Sequence, residues 1–214
     1  MGNAAVALAL GVCIALTSCR QAQRAIQRVR ASGSVFGEAH VATKTSTVVA
    51  SIGVSSLIVW LVIAEYGFVS VFFFAWCLWW SVHIALVDID THVITVQSVA
   101  VAAGGTVIVG TLLSRSITLS VSMLLGALVG VIIMKVVEVA SRGDLGHGDV
   151  VVSMWLGLMA GWRSLDTVVI GVMWAFLCAG VVATALIATR RTTLRSHLPF
   201  GPFLILGLWI GVLR

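Results

Sequence analysis

Apolar residues run almost unbroken along this chain, and short polar gaps cut the runs into lengths close to the thickness of a bilayer. The runs fall at roughly 3–18, 46–65, 68–87, 94–113, 117–138, 149–163, 167–189 and 200–213. A helix that crosses the hydrocarbon core needs about 20 apolar residues. The pattern therefore predicts an all-α polytopic transmembrane helix bundle of about eight spans, with the sixth and eighth short. The sixth is interrupted by Gly157 and Gly161 and is expected to tilt or to sit partly at the interface. Small-residue stretches such as 102–105 and 126–130 fit close helix packing, because a missing side chain lets two backbones approach.

Composition agrees with lipid as the solvent. Of the 214 residues, 60% are apolar and 10% charged, against about a quarter charged in a soluble domain. The formal charge of +5 does not point to nucleic acid. Ten of the thirteen Lys and Arg lie at 20–44, 135–142 and 190–195, in gaps between apolar runs or at their edges. No basic stretch is interleaved with aromatic residues in the manner of single-strand binders. With the first loop placed inside, all ten fall on the inner side, and Arg115, Arg163 and Arg214 lie outside. That asymmetry follows the positive-inside rule and agrees with eight crossings of a plasma membrane. Segment 20–31 reads as an interfacial basic helix or as an extension of the first span, attracted to anionic lipid in either case. Cys13, Cys19, Cys77 and Cys178 form no CxxC pair and read as apolar packing residues, with no metal site expected.

Against this background the eight acidic residues are conspicuous. A carboxylate near a bilayer is costly, so each calls for a reason. Asp88 closes the third run in "ALVDIDTHVIT" and Asp149 opens the sixth in "GHGDVVV". Two full runs separate them, and an even number of crossings returns a chain to the side it left. Two carboxyls that share a site do not both ionise readily, so the pair offers an acid and a base together. Such a pair activates water against an amide and protonates the leaving amine. Gly146 and Gly148 let a second backbone approach, and Asp149 sits where a helix dipole favours an anion. The alternative for each aspartate is a helix cap or a solvated helix end.

These residues carry a family resemblance. "GHGD" (146–149), with Gly146, His147 and Gly148 ahead of the aspartate, resembles the Gly-x-Gly-Asp signature of intramembrane aspartyl proteases. The stretch 85–95 resembles the first aspartate motif of the type IV prepilin leader peptidases and of preflagellin peptidases. "LPFGPFLILG" (198–207) is similar to their C-terminal Pro-Phe-Gly-Pro segment. The three motifs stand in the family's order. The resemblance implies an N-terminal span with a short basic loop (1–45), then a catalytic membrane domain (46–214). It also implies an aspartic endopeptidase that removes the leader of prepilin or pseudopilin-like precursors at the cytoplasmic face. Asp88 and Asp149 match the catalytic pair, with Asp90 the alternative at the first motif. Thr95 stands where the family has Pro, and Val151 and Val152 where it has Lys-Leu. The first loop lacks the paired cysteines of longer relatives, so no cofactor is expected.

A basic leader calls for acidic contacts, and Asp90, Asp144 and Glu138 are the candidates. Lys135 and Glu138, three apart, are placed to pair with each other. His83 is read as a structural residue of the bundle. Two rivals remain at this stage. One is a transporter or channel component with proton-relaying carboxylates, which predicts acidic residues at mid-span and broken helices. The other is a catalytically inactive scaffold of the same fold.

Overall fold

In the computed structural model, residues 2–31, 44–141, 145–190 and 199–214 are described, without the side chains of Phe68 and Val69. The described residues are helical throughout, apart from short turns. The elements are α1 (Gly2–Ala31), α2 (Thr45–Thr91), α3 (Val96–Ser114), α4 (Ile117–Ala140), α5 (His147–Gly161), α6 (Leu165–Ala188) and α7 (Gly201–Leu213). Gly67, with φ 77° and ψ 173°, interrupts α2. It divides α2 into two arms, α2a (Thr45–Gly67) and α2b (Ser70–Thr91).

All eight apolar runs of the sequence are thus helical, and the chain is a multi-pass membrane protein by length and apolar character. Among the described residues, six segments are long and apolar enough to cross: α1, α2a, α2b, α3, α4 and α6. Eight spans are expected, and the length and composition of the described helices support six of them. α5 has 15 residues and α7 has 13, which makes them about 22 and 20 Å long against a core of about 30 Å. Both are lined with buried residues: eleven of fifteen in α5 and eight of thirteen in α7. Their hydrophobicity is therefore spent largely on protein contacts, and α5 in particular is packed against protein over most of its surface.

Residue contacts divide the chain into two compact units, one running to Ile117 and the other from Thr118 to Val212. This line differs from the division at 45/46 drawn from the motifs. In the first unit, α2a and α2b fold back on one another about Gly67. Ile58, Val59 and Val62 on one arm face Val71, Phe74, Ala75 and Leu78 on the other, and the rings of Tyr66 and Phe74 lie 4.8 Å apart. α1 packs along α2 through a backbone-close approach at Gly11 and Ser56. Further along, Trp79 Nε1 donates to Thr17 Oγ1 at 2.9 Å. α3 is tied to α2b by Trp76 Nε1 donating to Ala102 O at 3.2 Å. Gly105 leaves the space that the Trp76 ring fills.

Segment 20–31 continues α1 without a break, so it is a helical extension of the first span. Cys19, just before that extension, and Ala22 and Ile26 within it pack on Leu86 and Val87 near the end of α2b.

Gly67 occupies a backbone region open essentially to glycine alone. Gly67→Ala is expected to lower stability by roughly 1–3 kcal/mol. Gly53→Ala, on open helix surface, is expected to be neutral or to stabilise by up to about 1 kcal/mol. Thermal unfolding of the two purified variants in one detergent checks the contrast; equal melting temperatures would refute it.

In the second unit, α4 and α5 meet backbone to backbone. A Cβ on Gly130 would lie 2.7 Å from Ser153 O, and one on Gly161 would lie 2.6 Å from Ser122 O. Ser122 Oγ also donates to Gly161 O at 2.8 Å. The stretch 126–130 is thus one half of a small-residue seam whose other half is the pair of glycines that interrupts the sixth apolar run. A second seam joins α6 to α7, where a Cβ on Gly211 would lie 2.9 Å from Thr167 O. Without side chains in the way, dispersion contacts and a few hydrogen bonds hold such helices together in lipid.

Candidate functional site

The first aspartate motif forms the last turn of α2b. His92 ends the helix in the left-handed region, at φ 51°, and its N–H donates to Asp88 O at 2.8 Å. Thr91 Oγ1 caps the same turn through Val87 O at 2.8 Å. Asp88 and Asp90 are both buried, at 5% and 6% exposure. They stand two residues apart, which on a helix is about 200° of rotation, so they address different neighbours. Asp90 faces α1, on the side of Leu86, and its carboxylate lies 3.5 Å from the Arg30 guanidinium. Arg30 was not anticipated, because the two partners lie sixty residues apart and no local pattern links them.

Beyond His92 the chain turns into α3. Thr95 is the residue before the helix, at φ −79° and ψ 121°, and its hydroxyl shares a 2.7 Å hydrogen bond with Ser98. That φ lies within the range a pyrrolidine ring enforces, so Thr stands where Pro would have been sterically acceptable. Thr95 and Ser98 line a small cavity with His83, Ile84, Val87 and Ile94. His83 is buried, stacked on Trp79 at 5.7 Å and edge-on to Trp80 at 5.3 Å. These contacts accord with the structural role expected of it.

The second motif opens α5. Gly146 is the N-cap, in extended conformation, and accepts from Asp149 N at 3.0 Å. Asp149 is the third helical residue, where the unsatisfied N–H groups of the first turn favour a carboxylate. It is buried at 8% exposure. Its Oδ2 lies 3.5 Å from where a Cβ on Gly146 would stand, so the carboxyl is folded back over the glycine. Gly146 and His147 are exposed and Gly148 is half-buried.

At the end of α4, Glu138 takes two partners. Lys135 Nζ bonds its Oε2, as the spacing anticipated. His147 Nδ1 lies 3.4 Å from its Oε1. Leu145 N–H donates to Ser141 Oγ at 3.3 Å. These two links fasten the start of α5 to the end of α4, and they position the Gly-x-Gly-Asp turn. Asp144 lies outside the described residues, as does Leu198 of the C-terminal motif. The rest of that motif starts α7, with Pro202 in its first turn and the Phe200 ring 4.9 Å from Phe176 of α6.

Among the described residues no three of His, Cys, Asp and Glu gather as a metal site would require, and the four cysteines are free thiols. Cys19 and Cys77 are buried as expected, whereas Cys13 is exposed. The described carboxylates are Glu65, Asp88, Asp90, Glu138, Asp149 and Asp166, and each lies within three residues of the end of a helix or helix arm.

Comparison with protein-family models finds no match to this chain. The curated proteins and the solved structures likewise contain none that matches it.

Proposed function

We propose that this protein is a membrane aspartic endopeptidase of the prepilin-peptidase kind. It removes the leader of prepilin or pseudopilin-like precursors at the cytoplasmic face of the plasma membrane. Asp88 and Asp149 are the catalytic pair. One carboxyl, as carboxylate, takes a proton from water as the water attacks the leader-peptide carbonyl. The other, as acid, gives its proton to the leaving amine.

The observation that carries this reading is the placement of the two aspartates. Both are buried, one in the last turn of α2b and one in the first turn of α5. A carboxyl buried in an apolar chain is costly, so its place calls for a reason. Chain order adds support. Two helices of crossing length, α3 and α4, separate the aspartates, and two crossings return the chain to the same side. Asp90, held by Arg30, is a supporting residue of the first motif. Glu138 and Asp144 remain the acidic groups proposed to meet a basic leader.

The transporter reading has less support. It requires carboxylates at mid-span, and the described ones stand at helix ends.

Co-expression of the chain with a prepilin-like precursor tests the function. Leader removal is followed by gel shift and by sequencing of the new N-terminus. Cleavage by the native chain, and none by well-inserted Asp88→Asn or Asp149→Asn variants, is the expected outcome. Undiminished cleavage by either variant would overturn the mechanism.

A further inference from the structure

We infer that the outer face of the last three turns of α1 is a binding surface for anionic phospholipid headgroups. α1 has 30 residues, or about 45 Å of helix, while the apolar core of a bilayer takes about 30 Å. The remainder is the extension whose inner face, Ala22 and Ile26 with Cys19 just before it, is buried on α2b. On the far side Arg20, Arg24 and Arg28 are exposed. They stand four residues apart and so form one column, rising about 6 Å per step.

No carboxylate among the described residues pairs with these three. Arg30, by contrast, is turned inward onto Asp90. Like charges spaced four apart on a helix destabilise one another, so the column favours an anion lying along it. Its position selects a membrane-borne anion over a soluble one. Arg20 follows the end of the first apolar run by two residues. The headgroup layer on each side is roughly 5–8 Å deep, which takes in Arg20 and Arg24. Arg28 reaches back along its own aliphatic stem, as long cationic side chains do at interfaces. The surface potential of an anionic leaflet is felt over about 8–10 Å, so all three lie within its range.

The inference is independent of the proposed peptidase activity, and its test needs none. The purified full chain in a neutral detergent is titrated with phosphatidylglycerol, with phosphatidylcholine and with inorganic phosphate. Retained lipid is read by native mass spectrometry and stability by thermal unfolding. Phosphatidylglycerol is expected to bind and to raise the melting temperature more than phosphatidylcholine. Each arginine removed should weaken that preference about fivefold, so the triple variant Arg20→Gln/Arg24→Gln/Arg28→Gln loses it. Arg115→Gln, at the C-terminal end of α3, should keep it. If the triple variant does not survive purification, Arg20→Gln and Arg28→Gln decide singly. An unchanged preference in these variants would overturn the proposal. A shift by inorganic phosphate equal to that by phosphatidylglycerol would overturn the assignment to lipid.

Discussion

Gly157→Val is expected to leave little or no folded protein in the membrane. A Cβ at this position would lie 2.8 Å from Ala127 Cα and closer still to Gly126 O. Those are backbone atoms of a helix, which cannot swing aside as a side chain does. The facing positions give no relief, because a Cβ on Gly126 would itself meet Gly161 Cα at 2.9 Å. The only remedy is for α4 and α5 to part along the whole seam. Parting them breaks the Ser122–Gly161 hydrogen bond and opens the backbone contacts at Gly130 and Ser153. Overpacking a core usually costs roughly 1–3 kcal/mol, and here several contacts fail together. Yield from membranes and melting temperature check the prediction, with Gly180→Ala, on open surface of α6, as the neutral control. A Gly157→Val protein as stable as that control would show that the two helices do not touch.

Asp88→Asn and Asp149→Asn are each expected to lower cleavage by at least about 1,000-fold, within the range general acid–base groups supply. Asparagine keeps the shape of the side chain and removes its titratable proton. In the proposed mechanism the two act as a unit, so the double variant should be no worse than either single one. Asp90→Asn should behave differently. Its carboxylate is engaged with Arg30 on the α1 side of the helix, so the variant is expected to lose stability while keeping cleavage. Initial rates on one precursor, normalised to protein in the membrane, separate these outcomes. A loss for Asp90→Asn as deep as that for Asp88→Asn would move the first catalytic group to Asp90.

Much of this fold is legible in the sequence because lipid imposes one rule, that the backbone must satisfy itself within a helix. The eight apolar runs are eight helical segments for that reason. Hydropathy does not say what surrounds a helix, since a protein interior and lipid tails are equally apolar. That is why α5 reads as a span and proves to be a short, buried helix. The glycines at 157 and 161 carried the missing information. Paired with those at 126 and 130, they mark two faces that fit each other. The aspartates were legible because an ionisable residue stands out in an apolar chain, and each lies at a helix end as read. The pairings of Arg30 with Asp90 and of His147 with Glu138 were not legible, since contacts between separate helices leave no spacing signal.

The proposed mechanism requires that Asp88 and Asp149 come together in one site. Cysteine cross-linking tests it most directly. In a chain with Cys13, Cys19, Cys77 and Cys178 replaced, cysteines are introduced by Asp88→Cys and Asp149→Cys and treated in membranes with a short bifunctional thiol reagent. Cleavage of the loop between them by an inserted protease site then reveals whether the halves stay joined. The account predicts efficient joining, and little joining in the Asp90→Cys/Asp149→Cys control, whose first position faces α1. Absence of joining for the 88/149 pair, with both thiols shown to react singly, would contradict it.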